Sequence, residues 1–292
     1  MAEVDEAGAP VASSAQPPSA DAPLLRCSDV NISFSQRGSK QRLHAVRNAS
    51  LEVGPADIVG LVGESGSGKS TLARAIVGLQ RIDSGAVEFE GRRLGHTRTA
   101  EDRRGIQMIF QDPFGSLDPR MKIRSALAEI IRRHTSLRGK QIDTRCAELM
   151  DMVQLPRTIL SSRPAGMSGG QRQRVAIARA LSINPRLLVA DEPVAALDVS
   201  VQAGIVNLLS DLRREVGLSI LFISHDLSIV RTLCDSVNVI YRGDIVETRP
   251  CAELFDDPRS DYTRTLLSAI PRLNGPRTEG LAQGQSLGVR RR

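Results

Sequence analysis

The sequence predicts an α/β fold with a mainly parallel sheet, an N-terminal antiparallel β subdomain and an inserted α-helical subdomain. Three observations carry this. Short apolar runs alternate with stretches of helical period, as in strands joined by crossover helices. One such strand and helix, Ile58-Val59-Gly60-Leu61-Val62 and Thr71-Leu72-Ala73-Arg74-Ala75-Ile76-Val77, are separated by a glycine-rich stretch. A block of purely helical period, from Ile123 to Val153, interrupts the alternation.

Taken in order, Met1 to Pro23 is rich in Ala, Pro and Ser and reads as a disordered tail. It has no basic start and no apolar segment, so it is not a secretion signal. Val30-Asn31-Ile32-Ser33-Phe34 and Ala49-Ser50-Leu51-Glu52-Val53 alternate in polarity and predict antiparallel strands around the polar loop Ser35 to Gln41. After the glycine-rich unit, whose helix closes at Gly78, Val87-Glu88-Phe89-Glu90-Gly91 predicts an edge strand. Ile106-Gln107-Met108-Ile109-Phe110 predicts a buried strand ending at Gln111. In the helical block, Ile123, Leu127, Ile130 and Ile131 share one face, and Cys146, Leu149, Met150 and Val153 another. Gly169 to Leu181 predicts a further helix.

Leu187-Leu188-Val189-Ala190 is a core strand stopped by Asp191-Glu192-Pro193. Val201 to Val216 is a helix capped by Gly217, and Ile220-Leu221-Phe222-Ile223 a strand ending at Ser224-His225-Asp226. Val237-Asn238-Val239-Ile240-Tyr241 and Ile245-Val246-Glu247 flank Arg242-Gly243-Asp244 and predict a hairpin. Tyr262 to Ala269 is a short helix, and the end, rich in Gly, Gln and Arg, reads as a flexible basic tail.

Hydrophobic content of 41% supports a proper core, and with aromatics at 3% and no Trp, aliphatic residues must build it. Net charge is +6, but the basic residues are scattered without interleaved aromatics, so a nucleic-acid partner is not indicated. Phosphate ligands or an anionic membrane surface explain the sign as well. The four cysteines form no C-x-x-C pair, which argues against a zinc site or a disulfide framework. No apolar run has the length needed to cross a bilayer.

The chemistry starts at Gly63-Glu64-Ser65-Gly66-Ser67-Gly68-Lys69-Ser70-Thr71, which fits G-x-x-x-x-G-K-[ST] between a strand and a helix. Glycines let the backbone wrap an anion with its N–H groups inward, and the helix start adds partial positive charge. Lys69 can reach β- and γ-phosphates, and the Ser70 hydroxyl can hold Mg²⁺. Asp191, at a strand end, suits a second metal carboxylate. Glu192, next to it, can take a proton from attacking water. Met167-Ser168-Gly169-Gly170-Gln171 precedes a helix with Ser168 placed as N-cap, and its two glycines form a second anion nest. Two nests and one metal site suggest two chains head to tail, each lending its second nest to the other's nucleotide.

Gly63 to Thr71, Gln111, Ser168-Gly169-Gly170-Gln171, Asp191-Glu192, Leu197-Asp198 and His225 stand in the order of an ABC-type ATPase. They resemble its Walker A, Q-loop, signature, Walker B, D-loop and H-switch. The resemblance implies a P-loop NTPase core of the ABC ATPase fold over residues 24–248, with the helical subdomain at about 112–182. It also implies an extension at 249–272 and a tail at 273–292. By the same resemblance Gln111 touches Mg²⁺ and water, Asp198 crosses to the opposite subunit, His225 holds the γ-phosphate, and Phe34 stacks on adenine. Phe110-Gln111-Asp112-Pro113-Phe114-Gly115-Ser116-Leu117-Asp118-Pro119-Arg120-Met121 is similar to the Q-loop of oligopeptide/dipeptide permease ATPases. So are Asp198-Val199-Ser200-Val201-Gln202 and the stretch from Glu253-Leu254-Phe255 through Tyr262-Thr263-Arg264 to Leu266-Leu267 and Ile270-Pro271.

This subfamily implies ATP and Mg²⁺, a second ATPase subunit of the same or a sister chain, two transmembrane permease subunits and an extracytoplasmic solute-binding protein. It places the chain on the cytoplasmic face of the membrane. Met167 replaces the usual Leu and Ala195 the usual Ser. Absence of cysteine after Cys251 argues against the iron–sulfur cluster of some relatives. A soluble ABC ATPase of DNA repair or translation is the competing class. It fits less well because the chain holds one cassette and no coiled-coil or zinc insertion. A small-molecule kinase would leave Ser168 to Gln171 and His225 without a role.

Overall fold

The structure, a computed structural model, describes residues 22–35, 42–112, 117–195 and 197–269. Most of the expected N-terminal tail, the polar loop at 36–41, residues 113–116 after Gln111, Ile270-Pro271 and the basic tail lie outside the described residues.

The first half of the chain runs β1 (Leu25–Ser35), β2 (Arg42–Val53), β3 (Ile58–Val62), α1 (Lys69–Ile76), β4 (Ser84–Phe89), β5 (Arg92–Arg93), α2 (Ala100–Gly105) and β6 (Ile106–Ile109). A helical stretch follows, α3 (Ile123–His134), α4 (Lys140–Met152) and α5 (Gly169–Leu181). The rest comprises β7 (Leu187–Asp191), α6 (Val199–Val216), β8 (Ser219–Ser224), α7 (Leu227–Leu233), β9 (Ser236–Tyr241), β10 (Asp244–Pro250), α8 (Cys251–Asp256) and α9 (Asp261–Ser268).

Two sheets result. The larger has strand order β10-β9-β3-β8-β7-β6, parallel except for β10. The smaller, of order β2-β1-β4-β5, is antiparallel. Strands β3, β7 and β8 are buried on both faces, which is why they read as unbroken apolar runs. Their side chains alternate between two cores. Ile58, Leu188, Ala190, Ile220 and Phe222 join the core that holds α3 to α7. Val59, Leu61, Leu187, Val189, Leu221 and Ile223 face the core built with α1 and the antiparallel sheet. The helical block closes on itself through Ile123, Leu127 and Ile131 of α3 and Ile142, Cys146, Leu149 and Met150 of α4, all buried.

Local chemistry sets the ends. Ser168 and Gln171 form a capping box on α5. Asp198 caps α6, and Gly217, left-handed at φ 66°, closes it. The β9–β10 turn puts Arg242 and Gly243 at φ 48° and 94°, which the glycine accommodates at its second position.

Three details differ from the sequence reading. Strands β1 and β2 are longer than their alternating cores, because register shifts near Cys27 to Val30 and at Ile32 break the period. The strand expected at an edge, β4, lies between β1 and the two-residue β5, which takes the edge instead. Conversely β6, expected to be buried, is an edge strand with Gln107 and Met108 half-buried.

Candidate active site

One end of the parallel sheet gathers most of the sequence-nominated residues. A cavity of about 460 Å³ is lined by Ser65, Gly66, Gly68, Lys69, Ser70 and Thr71 together with Gln111, Glu192 and His225. Each stands just beyond the C-terminal end of a strand: the glycine loop after β3, Gln111 after β6, Glu192 after β7 and His225 after β8. This is where open parallel sheets place ligands.

The loop owes its shape to glycine. Gly68 has φ 111°, and a Cβ there would lie 2.4 Å from the Ala45 carbonyl oxygen. Gly68 is also the N-cap of α1, with no side-chain cap and no acidic residue in the first turn. The helix start therefore keeps its partial positive charge for an anion. Lys69 is buried, and its Nζ donates to the carbonyls of Gly63 and Glu64, both at 2.7 Å. Burial lowers its pKa against the opposing pull of Glu192, Asp191 and Glu64.

Ser70 Oγ donates to Asp191 Oδ1 at 2.9 Å. Asp191 is buried, and burial raises its pKa, with the Ser70 hydrogen bond working the other way. The hydroxyl, this carboxylate and the Gln111 amide are hard oxygen donors, a set that suits Mg²⁺. Glu192 sits at φ 48°, its N–H held by the Ile223 carbonyl at 3.0 Å. Such a backbone is uncommon outside glycine and costs roughly 1–3 kcal/mol. The carboxylate meets two other nominated residues: Glu192 Oε2 accepts from Gln111 Nε2 at 3.0 Å and faces His225 Nδ1 at 3.3 Å.

The remaining nominated residues lie apart from this cavity. Ser168 to Gln171 do not line it. Ser168 Oγ accepts from Gln171 N at 3.2 Å, and Gln171 Oε1 from Ser168 N at 3.0 Å. Gly170 also has a packing reason, because a Cβ would meet Val201 Cγ1 of α6 at 2.4 Å. Asp198 accepts from Val201 N at 3.0 Å and Ser200 Oγ at 2.8 Å, contacts that hold its pKa below the usual carboxylate range. Within one chain it is a helix cap. Phe34 is not among the lining residues either. It pairs across the sheet with Leu43, both exposed, while Ala45, the residue left unpaired by the register shift next along β2, lines the cavity. Leu43 and Ala45 carried no motif signal in the sequence.

Comparisons with known proteins give the family of the chain. Residues 46–195 match the family model described as ABC transporter, and 246–289 match that of the oligopeptide/dipeptide transporter C-terminal region. A peptide import ATP-binding protein of Brucella abortus is 46% identical over 84% of this chain and 74% of its own length. The oligopeptide transport ATP-binding protein OppF of Streptococcus mutans is 42% identical over 85% of this chain and 82% of its own. Among solved structures, cbiO1 of Clostridium perfringens, part of an ABC transporter complex, superposes with a TM-score of 0.73 at 26% identity, covering 81% of this chain and 92% of that one. A dimeric ATP-binding cassette bound to ADP and Pi in a post-hydrolysis state gives 0.70 at 27% identity, over 78% of this chain and 98% of that one. A glycine cradle, a hydroxyl–carboxylate pair and a poised glutamate thus meet in a chain whose relatives share most of its length, and the chain belongs to the ABC transporter ATPase family.

Proposed function

We propose that this chain is the ATP-hydrolysing subunit of an importer for peptides or similar small solutes, working on the cytoplasmic face of the membrane beside separate permease subunits. The carrying observation is the convergence of Lys69, Ser70, Gln111, Asp191, Glu192 and His225 on one cavity, with the Ser168 helix start outside it. Among the described residues no helix is long and apolar enough to cross a membrane, so in this reading other chains supply the pathway.

The phosphates of ATP lie along residues 63–71, with Lys69 between the β- and γ-groups. Ser70, Gln111 and Asp191 hold Mg²⁺, which when bound neutralises charge on the phosphate oxygens. Glu192 accepts a proton from the attacking water. Its contact with Gln111 ties that base to the loop leading into the helical block. His225 donates to the γ-phosphate. Ser168 to Gln171 close the site from a second subunit, and Asp198 crosses the same boundary. Adenine lies over the Phe34–Leu43 pair. The peptide class is supported by the two named relatives and by the match at 246–289.

The test is reconstitution with the co-purifying membrane chains in proteoliposomes. ATP-dependent uptake of di- or oligopeptides, lost in Lys69→Ala, is expected. Sustained hydrolysis without any membrane partner, together with capture on ribosomes or DNA, would overturn the assignment.

A further inference from the structure

The C-terminal extension touches the phosphate loop directly. Glu64 N–H donates to the Tyr262 hydroxyl of α9 at 3.1 Å, across 198 residues of sequence. The peptide unit that carries this N–H is the same one whose carbonyl, that of Gly63, accepts from Lys69 Nζ at 2.7 Å. A peptide is planar, and its N–H and C=O point in opposite directions. The Gly63–Glu64 plane is therefore held at both ends, by the lysine on one side and the phenol on the other. Rotating it would break both contacts together.

The third side is closed by β9. A Cβ on Gly63 would lie 2.2 Å from the Ile240 carbonyl oxygen, and the next turn sends Gly243 N–H to the Ser67 carbonyl at 2.9 Å. Tyr262 is itself braced. Its ring meets that of Tyr241 with centroids 4.1 Å apart and planes at 31°. Before α9, the N–H groups of Arg259 and Ser260 both donate to the buried Glu247 carboxylate at 2.9 Å. A phenylalanine would keep the ring against Tyr241 and lose the hydrogen bond to the loop.

We propose that Tyr262 is a positioning residue of the nucleotide site: its hydroxyl fixes the peptide that presents a carbonyl to Lys69, which makes the C-terminal extension part of the phosphate-binding apparatus. This rests on the assignment of residues 63–71 as the phosphate cradle. Without the hydroxyl, the Gly63–Glu64 peptide loses one of its two anchors, and the Gly63 carbonyl, one of the two that hold Lys69, is less firmly placed. The effect falls on nucleotide binding, since Tyr262 contacts the loop at Glu64 and does not line the cavity that Glu192 lines.

The experiment compares wild type, Tyr262→Phe and Lys69→Ala as full chains, with equilibrium titration of MgATP, steady-state phosphate release and thermal unfolding. Loss of one hydrogen bond predicts a weakening of ATP binding by about fivefold for Tyr262→Phe. KM should rise by a similar factor, kcat should change less than about twofold, and the unfolding temperature should hold. Unchanged KM in Tyr262→Phe with ATP binding lost in Lys69→Ala would overturn the proposal while leaving the cradle intact. A fall in kcat and unfolding temperature with KM unmoved would also overturn it, because that marks a purely structural tyrosine. Unimpaired binding in Lys69→Ala would instead remove the cradle on which the proposal stands.

Discussion

Replacing Glu192 with Gln isolates the proton-accepting role from everything else in the site. Gln has nearly the same volume, tolerates the φ of 48° as Glu does, and keeps an oxygen facing the Gln111 amide. Lys69, Ser70 and Asp191 retain their contacts, since none of these hydrogen bonds runs through Glu192. The substitution also removes a negative charge near Lys69, where the γ-phosphate would lie. ATP affinity should therefore hold or tighten. What disappears is the base, and positioned general bases contribute typically about 10²–10⁴-fold, or about 2.7–5.4 kcal/mol of barrier. Steady-state phosphate release should fall by that factor while MgATP titration shows no loss of binding. A kcat within about threefold of wild type would refute the assignment of Glu192. A drop in affinity equal to the drop in rate would show that the carboxylate acts in binding instead.

Other substitutions probe the surroundings. Gly68→Ala places a Cβ 2.4 Å from the Ala45 carbonyl oxygen at a left-handed φ, so ATP binding should be lost and the unfolding temperature should fall by at least a few degrees in a thermal melt. Phe34→Ala should weaken ATP binding by about 2- to 12-fold, the value of one aromatic stack, while inhibition by inorganic tripolyphosphate stays unchanged in the hydrolysis assay. Burial alone would raise the pKa of Glu247, but the Arg259 N–H, the Thr263 hydroxyl, the Ser260 N–H and the charge of Arg249 together outweigh it and hold the value below the usual carboxylate range. A depressed folded-state pKa stabilises at neutral pH and loses that contribution as pH falls through the folded value. Docking of α9 should accordingly fail only in acid. The chain has two tyrosines and no tryptophan, so near-ultraviolet circular dichroism reports the Tyr241–Tyr262 pair directly. Glu247→Gln should remove that acid transition.

The legible parts of this chain were those whose physics is local. β3, β7 and β8 are buried on both faces and announce themselves as apolar runs. The ends of α5 and α6 follow from Ser168, Asp198 and Gly217, whose capping chemistry works over three or four residues. Helices α2, α7 and α8 escaped because six or seven residues hold too few turns to show a period. For α2 a usable signal existed in the Thr99–Asp102 capping box. Lys69, Ser70, Gln111, Asp191, Glu192 and His225 were nominated by motif and by their order along the chain, and they gather because each ends or follows a strand of one sheet. The contact of Tyr262 with Glu64 left no trace in the sequence, since nothing local says which loop a distant helix will meet. Asp198 and Gly170 were nominated for roles across a subunit boundary, and the structure gives each a use within its own chain, as a cap and as a close packing point.

Two subunits should share each ATP, the cradle from one and the Ser168 helix start from the other. All four native cysteines are buried, so engineered surface thiols report cleanly. Ser168→Cys should be paired with a cysteine in the phosphate loop of the ATPase subunit that co-purifies, whether a second copy or a sister chain, in the assembled transporter carrying Glu192→Gln. MgATP should produce a disulfide-linked ATPase pair that ADP does not. Nucleotide bound at full occupancy with no cross-link, in a transporter that still hydrolyses ATP when Glu192 is restored, would contradict the claim.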